Sequence, residues 1–148
     1  MSEEKDTHRK FAVGCFNGTW DLIEKADRTQ EDDARMIHMA HASRYHWGEI
    51  GTPLNFARGD WQISRVYAIL GQGENALNYA KSCLHLCADN DLGDFDLAFA
   101  YEAAARAFNV LGDSEMTEKH LALAKKAGEN IAKEDDKKYF LSELESIK

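Results

Sequence analysis

Apolar residues recur at three- and four-residue spacing along almost the whole chain, and no stretch alternates with a period of two, so the pattern predicts helices throughout. A first helix is expected from about Lys5 to Lys25, with Val13, Phe16, Trp20 and Ile23 on one face. A second should run from about Gln30 to Ile50, opened by Thr29 as N-cap with Asp32 three residues on, a variant of the capping box. Its buried stripe reads Met36, Met39, Ala40, Ser43 and Trp47. Gly51-Thr52-Pro53 then supplies a stop, a cap and a first-turn proline in succession, the clearest boundary in the chain.

The third helix carries Phe56, Ile63, Val66, Tyr67 and Leu70 on one side and stops at Gly71-Gln72-Gly73. The fourth, from about Glu74 to Ala88, should bury Ala76, Tyr79 or Ala80, Cys83, Leu84 and Cys87. After the polar loop at 89–94, a fifth helix has Leu97, Tyr101, Ala104, Phe108 and Leu111 in register. Gly112-Asp113 breaks it, and Asp113 or Ser114 caps a sixth holding Leu121, Leu123, Ala124 and Ala127. The last, from about Asp136 to Ile147, places Phe140, Leu141, Leu144 and Ile147 on one side. Short turns between neighbours predict antiparallel hairpins.

Composition narrows the class. With 148 residues, 44% hydrophobic and 30% charged, the chain is expected to form one globular domain rather than a disordered segment. A single proline fits long helices better than a turn-rich β-sandwich. The net charge of −8, from 26 acidic and 18 basic residues, argues against nucleic acid as a partner. No apolar run approaches the length of a membrane span, and the charged start MSEEKDTHRK does not read as a signal peptide. Three cysteines without framework spacing fit a reducing compartment, so the cytoplasm is the expected location.

Residues Tyr67 to Gly71, followed by Ala76, Leu77, Tyr79 and Leu84, resemble a tetratricopeptide repeat. Tyr67, Gly71, Ala76 and Leu84 stand at that family's aromatic, glycine, alanine and apolar places, with Cys83 where another small residue is usual. The next hairpin matches at Phe108, Gly112 and Ala124, but has Thr117 in place of the alanine after the turn. Gly71 and Gly112 lie 41 residues apart, more than the family's repeat of about 34, and the first hairpin has no matching glycine. The strings from His41 to Trp47 and from Arg58 to Gln62 are also similar to a bacterial tetratricopeptide-like family, a resemblance that implies a fold and no activity. Together these imply a right-handed superhelix of about three antiparallel helix hairpins with a C-terminal capping helix.

The resemblance also implies a concave groove lined by the first helix of each hairpin, which puts Arg58, Trp61, Arg65, Phe99, Glu102, Arg106 and Asn109 on it. At about 100° per residue, Arg58, Trp61 and Arg65 fall on one stripe opposite Phe56, Ile63 and Leu70. Two arginines beside a tryptophan would suit a carboxylate-bearing peptide. Alternatively, these arginines pair with Asp60, Glu49 or Glu102 and only join neighbouring hairpins, while Glu102 and Arg106 pair along their helix. The expected function is a non-catalytic peptide-binding scaffold without a cofactor.

A second candidate lies on the second helix, where His38, His41 and Tyr45 share a face with Glu49 one turn on. Such a set could bind a small molecule or a divalent ion, or do hydrolytic work, although no His-Glu-x-x-His frame supports it. Cys83-Leu84-His85-Leu86-Cys87 reads as buried thiols, since His85 points away from both cysteines on a helix. Gly71-Gln72-Gly73 follows a helix and lacks the lysine of a phosphate loop. Gly14 and Gly18 each cost about 1 kcal/mol of helix propensity. Close packing by another helix, of this chain or of a second copy, would offset that cost, and because Phe11, Cys15 and Leu22 make a second apolar strip there, a homodimer contact through the first helix is one candidate.

Overall fold

The computed structural model describes residues 2–147, and all regular structure among them is helical. Seven helices follow in order: α1 Ser2–Ile23, α2 Gln30–Ile50, α3 Pro53–Ile69, α4 Gly73–Asp89, α5 Asp94–Leu111, α6 Ser114–Glu129 and α7 Glu134–Glu145. The most extensive contacts join α1 with α2, α3 with α4, and α5 with α6; α3 also meets α5, and α7 packs on α5 and α6.

Local chemistry sets the boundaries. The Thr29 hydroxyl accepts from the Asp32 amide and the Asp32 carboxylate accepts from the Thr29 amide, both at 3.1 Å, completing the predicted capping box. Pro53 occupies the first turn of α3, and Asp113 caps α6 by accepting from the Met116 amide. Gly71 and Gly112 share a left-handed φ of 77°. In each turn the following residue donates back to the helix, Gln72 N to Tyr67 O at 2.9 Å and Asp113 N to Phe108 O at 3.1 Å. This is the six-to-one bond of a glycine-terminated helix, and a β-carbon at either glycine would be strained.

Helix faces depart from the simple stripes where the packing is crowded. On α1 the buried positions are Ala12 and Thr19, whereas Val13 and Phe11 remain 42% and 47% exposed. Close contact with α2 explains the shift. The Ser43 hydroxyl donates to Ala12 O at 2.7 Å, and a β-carbon on Gly18 would collide with the Met39 methyl, so α1 approaches α2 along its small residues. Leu22 turns inward against the Met36–Ile63 cluster, leaving Phe11 outside beside His46. The expected Phe11–Leu22 strip is therefore divided between surface and interior.

Helix α5 is buried nearly all round, from Ala98 to Phe108. Glu102, expected to face an open groove, lies wholly beneath neighbours because α7 crosses this side of α5, and Phe99 beside it keeps only an edge uncovered. Phe140 anchors that crossing: its fully buried ring meets Phe99 edge-on at 4.8 Å and lies against Gly128. Leu111, expected on the core face, is 42% exposed at the end of the helix. Thr117 fits a buried slot suited to alanine because its hydroxyl donates to Asp113 O at 2.8 Å.

Candidate functional site

An open cavity of about 650 Å³ lies among α1, α3, α5 and the start of α7. Pairs spaced one helical turn apart bring its wall together. Helix α1 contributes Phe16 and Trp20; α3 contributes Ala57, Arg58 and Trp61; α5 contributes Phe95, Asp96 and Phe99. Asp94 opens α5 with a left-handed φ of 55°, and its carboxylate accepts from the Ala132 amide at 2.9 Å, tying the α6–α7 link to the rim. Lys133, Asp136 and Tyr139 complete the α7 side, and Cys83 reaches the wall from α4.

Trp61 is central. Its ring lies 5.6 Å from Trp20 and 5.5 Å from Phe99, and Phe99 in turn contacts Phe95 at 4.7 Å and Tyr139 at 5.8 Å. Offset and edge-on ring contacts of this kind hold an aromatic wall in one geometry. The Trp61 indole N–H donates to Glu102 Oε1 at 2.9 Å, which fixes the ring's rotation. Glu102 is fully buried and also accepts from Arg106 Nε at 2.7 Å, the expected pair one turn apart.

Arg65 closes this network from α3. Its Nη2 donates to Glu143 at 2.6 Å, while Nη1 stands 3.7 Å from Glu102, near enough for charge attraction and too far for a hydrogen bond. Arg106 Nη2 donates to Glu143 O and Ser146 Oγ at 3.1 and 2.9 Å. Arg65, Glu102 and Arg106 thus lie behind Trp61 and fasten α7, outside the open space. Asn109 is half-buried further along α5, also outside the cavity lining.

Arg58 does line the cavity, half-exposed, and donates twice to Asp96 at 2.9 and 3.3 Å. The Asp96 carboxylate, through that bond and its charge, raises the Arg58 pKa, and Asp136 adds to the effect. Asp60, one of the partners weighed for the arginines, is taken by Arg44 at 3.0 Å instead. The Cys83 thiol is held well above its ordinary pKa, first by its hydrogen bond with Cys87 and then by burial, with Asp60 and Asp96 contributing. Burial raises the Tyr139 phenol, and the charges of Glu143, Glu102 and Glu24 add to it against Arg65.

The helix-two set lies elsewhere. His41 hydrogen-bonds the Tyr67 hydroxyl at 2.9 Å between α2 and α3, and burial lowers its pKa. His38 and Glu49 are exposed, and Tyr45, 61% exposed, packs edge-on against His46. Among the described residues, no three His, Cys, Asp or Glu side chains gather as a metal site.

Of the residues expected on the groove, Arg58, Trp61 and Phe99 meet at the cavity. Phe16, Trp20, Phe95, Asp96, Asp136 and Tyr139 join them without having been singled out as binding residues. Their one available signal was aromatic repetition, Phe16 with Trp20 and Phe95 with Phe99, which core packing explains equally well. Comparison with protein-family models, with curated proteins and with solved structures finds no match for this chain, so the site's chemistry rests on its own geometry.

Proposed function

We propose that this chain is a non-catalytic binding module whose hairpins form a tetratricopeptide-like superhelix and whose aromatic cavity seats one side chain of a partner peptide. The observation that carries this reading is six aromatic rings, brought from α1, α3, α5 and α7, around an open space of about 650 Å³. That volume is within the range of about 300–1,000 Å³ usual for ligand pockets lined by apolar and aromatic groups. A smaller hollow of about 160 Å³ adjoins it, sharing Phe16 and Arg58 and extending toward Trp47 and Asn55. An extended backbone can run along the second hollow while one side chain enters the first. The repeat reading is supported by the matching turns at Gly71 and Gly112, by fully buried Ala76 and Ala124, and by the contact of α3 with α5.

A carboxylate suits this cavity poorly as a ligand group. Arg58 already faces Asp96 and Arg65 already faces Glu143, so an acidic ligand would have to break an internal pair. The test is a peptide array read with wild-type protein and with Tyr139→Ala and Phe95→Ala. Hits that weaken about tenfold or more in both variants support the cavity. Hits that bind the variants as they bind the parent would remove it.

A further inference from the structure

Resting on that reading, we infer that the cavity selects an organic cation, a guanidinium or ammonium on an apolar stem, such as an arginine or lysine side chain. Three carboxylates, Asp94, Asp96 and Asp136, line the space with two cations, Arg58 and Lys133. The twofold bond between Arg58 and Asp96 cancels one charge of each sign. Asp94, at the start of α5, accepts from the neutral Ala132 amide and makes no ion pair among the described residues. Asp136 makes no ion pair among the described residues and acts on Arg58 through charge alone. Lys133 and Asp94 are both exposed, where water and salt screen them, so the half-buried Asp136 carries the charge that counts most.

Aromatic faces add attraction for positive charge, because the ring quadrupole is negative above the plane. The molecule already uses them so: the Arg58 guanidinium lies 5.9 Å from the Phe95 centroid and that of Arg65 5.7 Å from Trp61. A stem in apolar contact with Phe16 and Trp20 and a cationic head near Asp136 would satisfy both kinds of wall.

The experiment follows the Trp20 and Trp61 indole N–H signals by NMR while full-length protein is titrated with capped hexapeptides identical except for a central arginine, lysine, norleucine or glutamate. Free butylguanidine and butylamine are titrated in parallel. The cationic peptides should bind about tenfold or more tightly than the norleucine peptide, and the glutamate peptide more weakly still. Asp136→Asn should erase much of that preference, whereas Asp135→Asn, exposed and outside the lining, should not. Free cations binding as well as the peptides would keep the cation chemistry and assign it to a small molecule. Norleucine or glutamate binding as well as arginine would overturn the charge selection yet leave the cavity as a binding site. Probes that shift neither indole would overturn both readings.

Discussion

Glu102 concentrates the chemistry of the interior on one side chain. It is fully buried, accepts from Trp61 and Arg106, and lies within charge range of Arg65. Removing one member of a buried charged set leaves the others uncompensated, at a cost of about 3–5 kcal/mol. Glu102→Gln should therefore lower unfolding stability by about 3 kcal/mol in urea melts and perturb Trp61 fluorescence; a change under about 0.5 kcal/mol would show the network to be dispensable. His41 gives a pH dependence of definite sign. Burial favours its neutral form, so the folded pKa is below the unfolded value. Stability is then fully present above about pH 6.5 and declines as pH falls, because the unfolded chain takes the proton first. Replacing His41 with glutamine should reduce the drop in Tm between about pH 7.5 and 5.5, and an identical drop in both proteins would place that sensitivity elsewhere. The pairing of Glu102 with Arg106 was legible from their spacing. The burial of Glu102 was not, since nothing within four residues of it shows that α7 will cross above.

At the scale of elements, glycines report how closely helices approach. A β-carbon on Gly14 would meet nothing within 4 Å, and the residue is exposed in the interior of α1. Gly14→Ala should thus stabilise the chain by about 0.5–1 kcal/mol in thermal or urea unfolding. If a second copy packs closely on α1, that gain should vanish and dimer formation should weaken, so the same variant tests the candidate homodimer. Gly128 behaves oppositely. Its added β-carbon would lie 2.6 Å from Phe140 Cδ2, against a ring buried by α5 and α6. Gly128→Ala should destabilise by about 1–3 kcal/mol through overpacking, and a neutral result would mean that α7 can shift without loss. The sequence alone marked Gly14 and Gly18 as a close-packing pair, and only the Gly18 half meets another helix.

Across the whole molecule, the contacts are uneven. Helix α5 packs on α3, α4, α6 and α7, whereas α7 packs on α5 and α6 and reaches α3 through the Arg65–Glu143 bond. Hydrogen exchange should be slowest in α5 and should reveal α7 opening locally before the rest, because elements with fewer buried contacts open at lower free energy. Protection in α7 equal to that in α5 would refute this order. What the sequence by itself determined were the helices and those ends where caps, prolines and left-handed glycines act through bonds within one turn; α1 and α7, expected from Lys5 to Lys25 and from Asp136 to Ile147, instead run Ser2–Ile23 and Glu134–Glu145. Thr29, Gly51 to Pro53, Gly71 and Asp113 all stand where that chemistry put them. Which faces close and which stay open was decided only by tertiary structure. Periodicity orients a side chain about its own helix axis and carries no information on which helix arrives from elsewhere in the chain. The cavity needs Phe16 and Tyr139 on opposite ends of the sequence to share one wall, and no local pattern holds that distance.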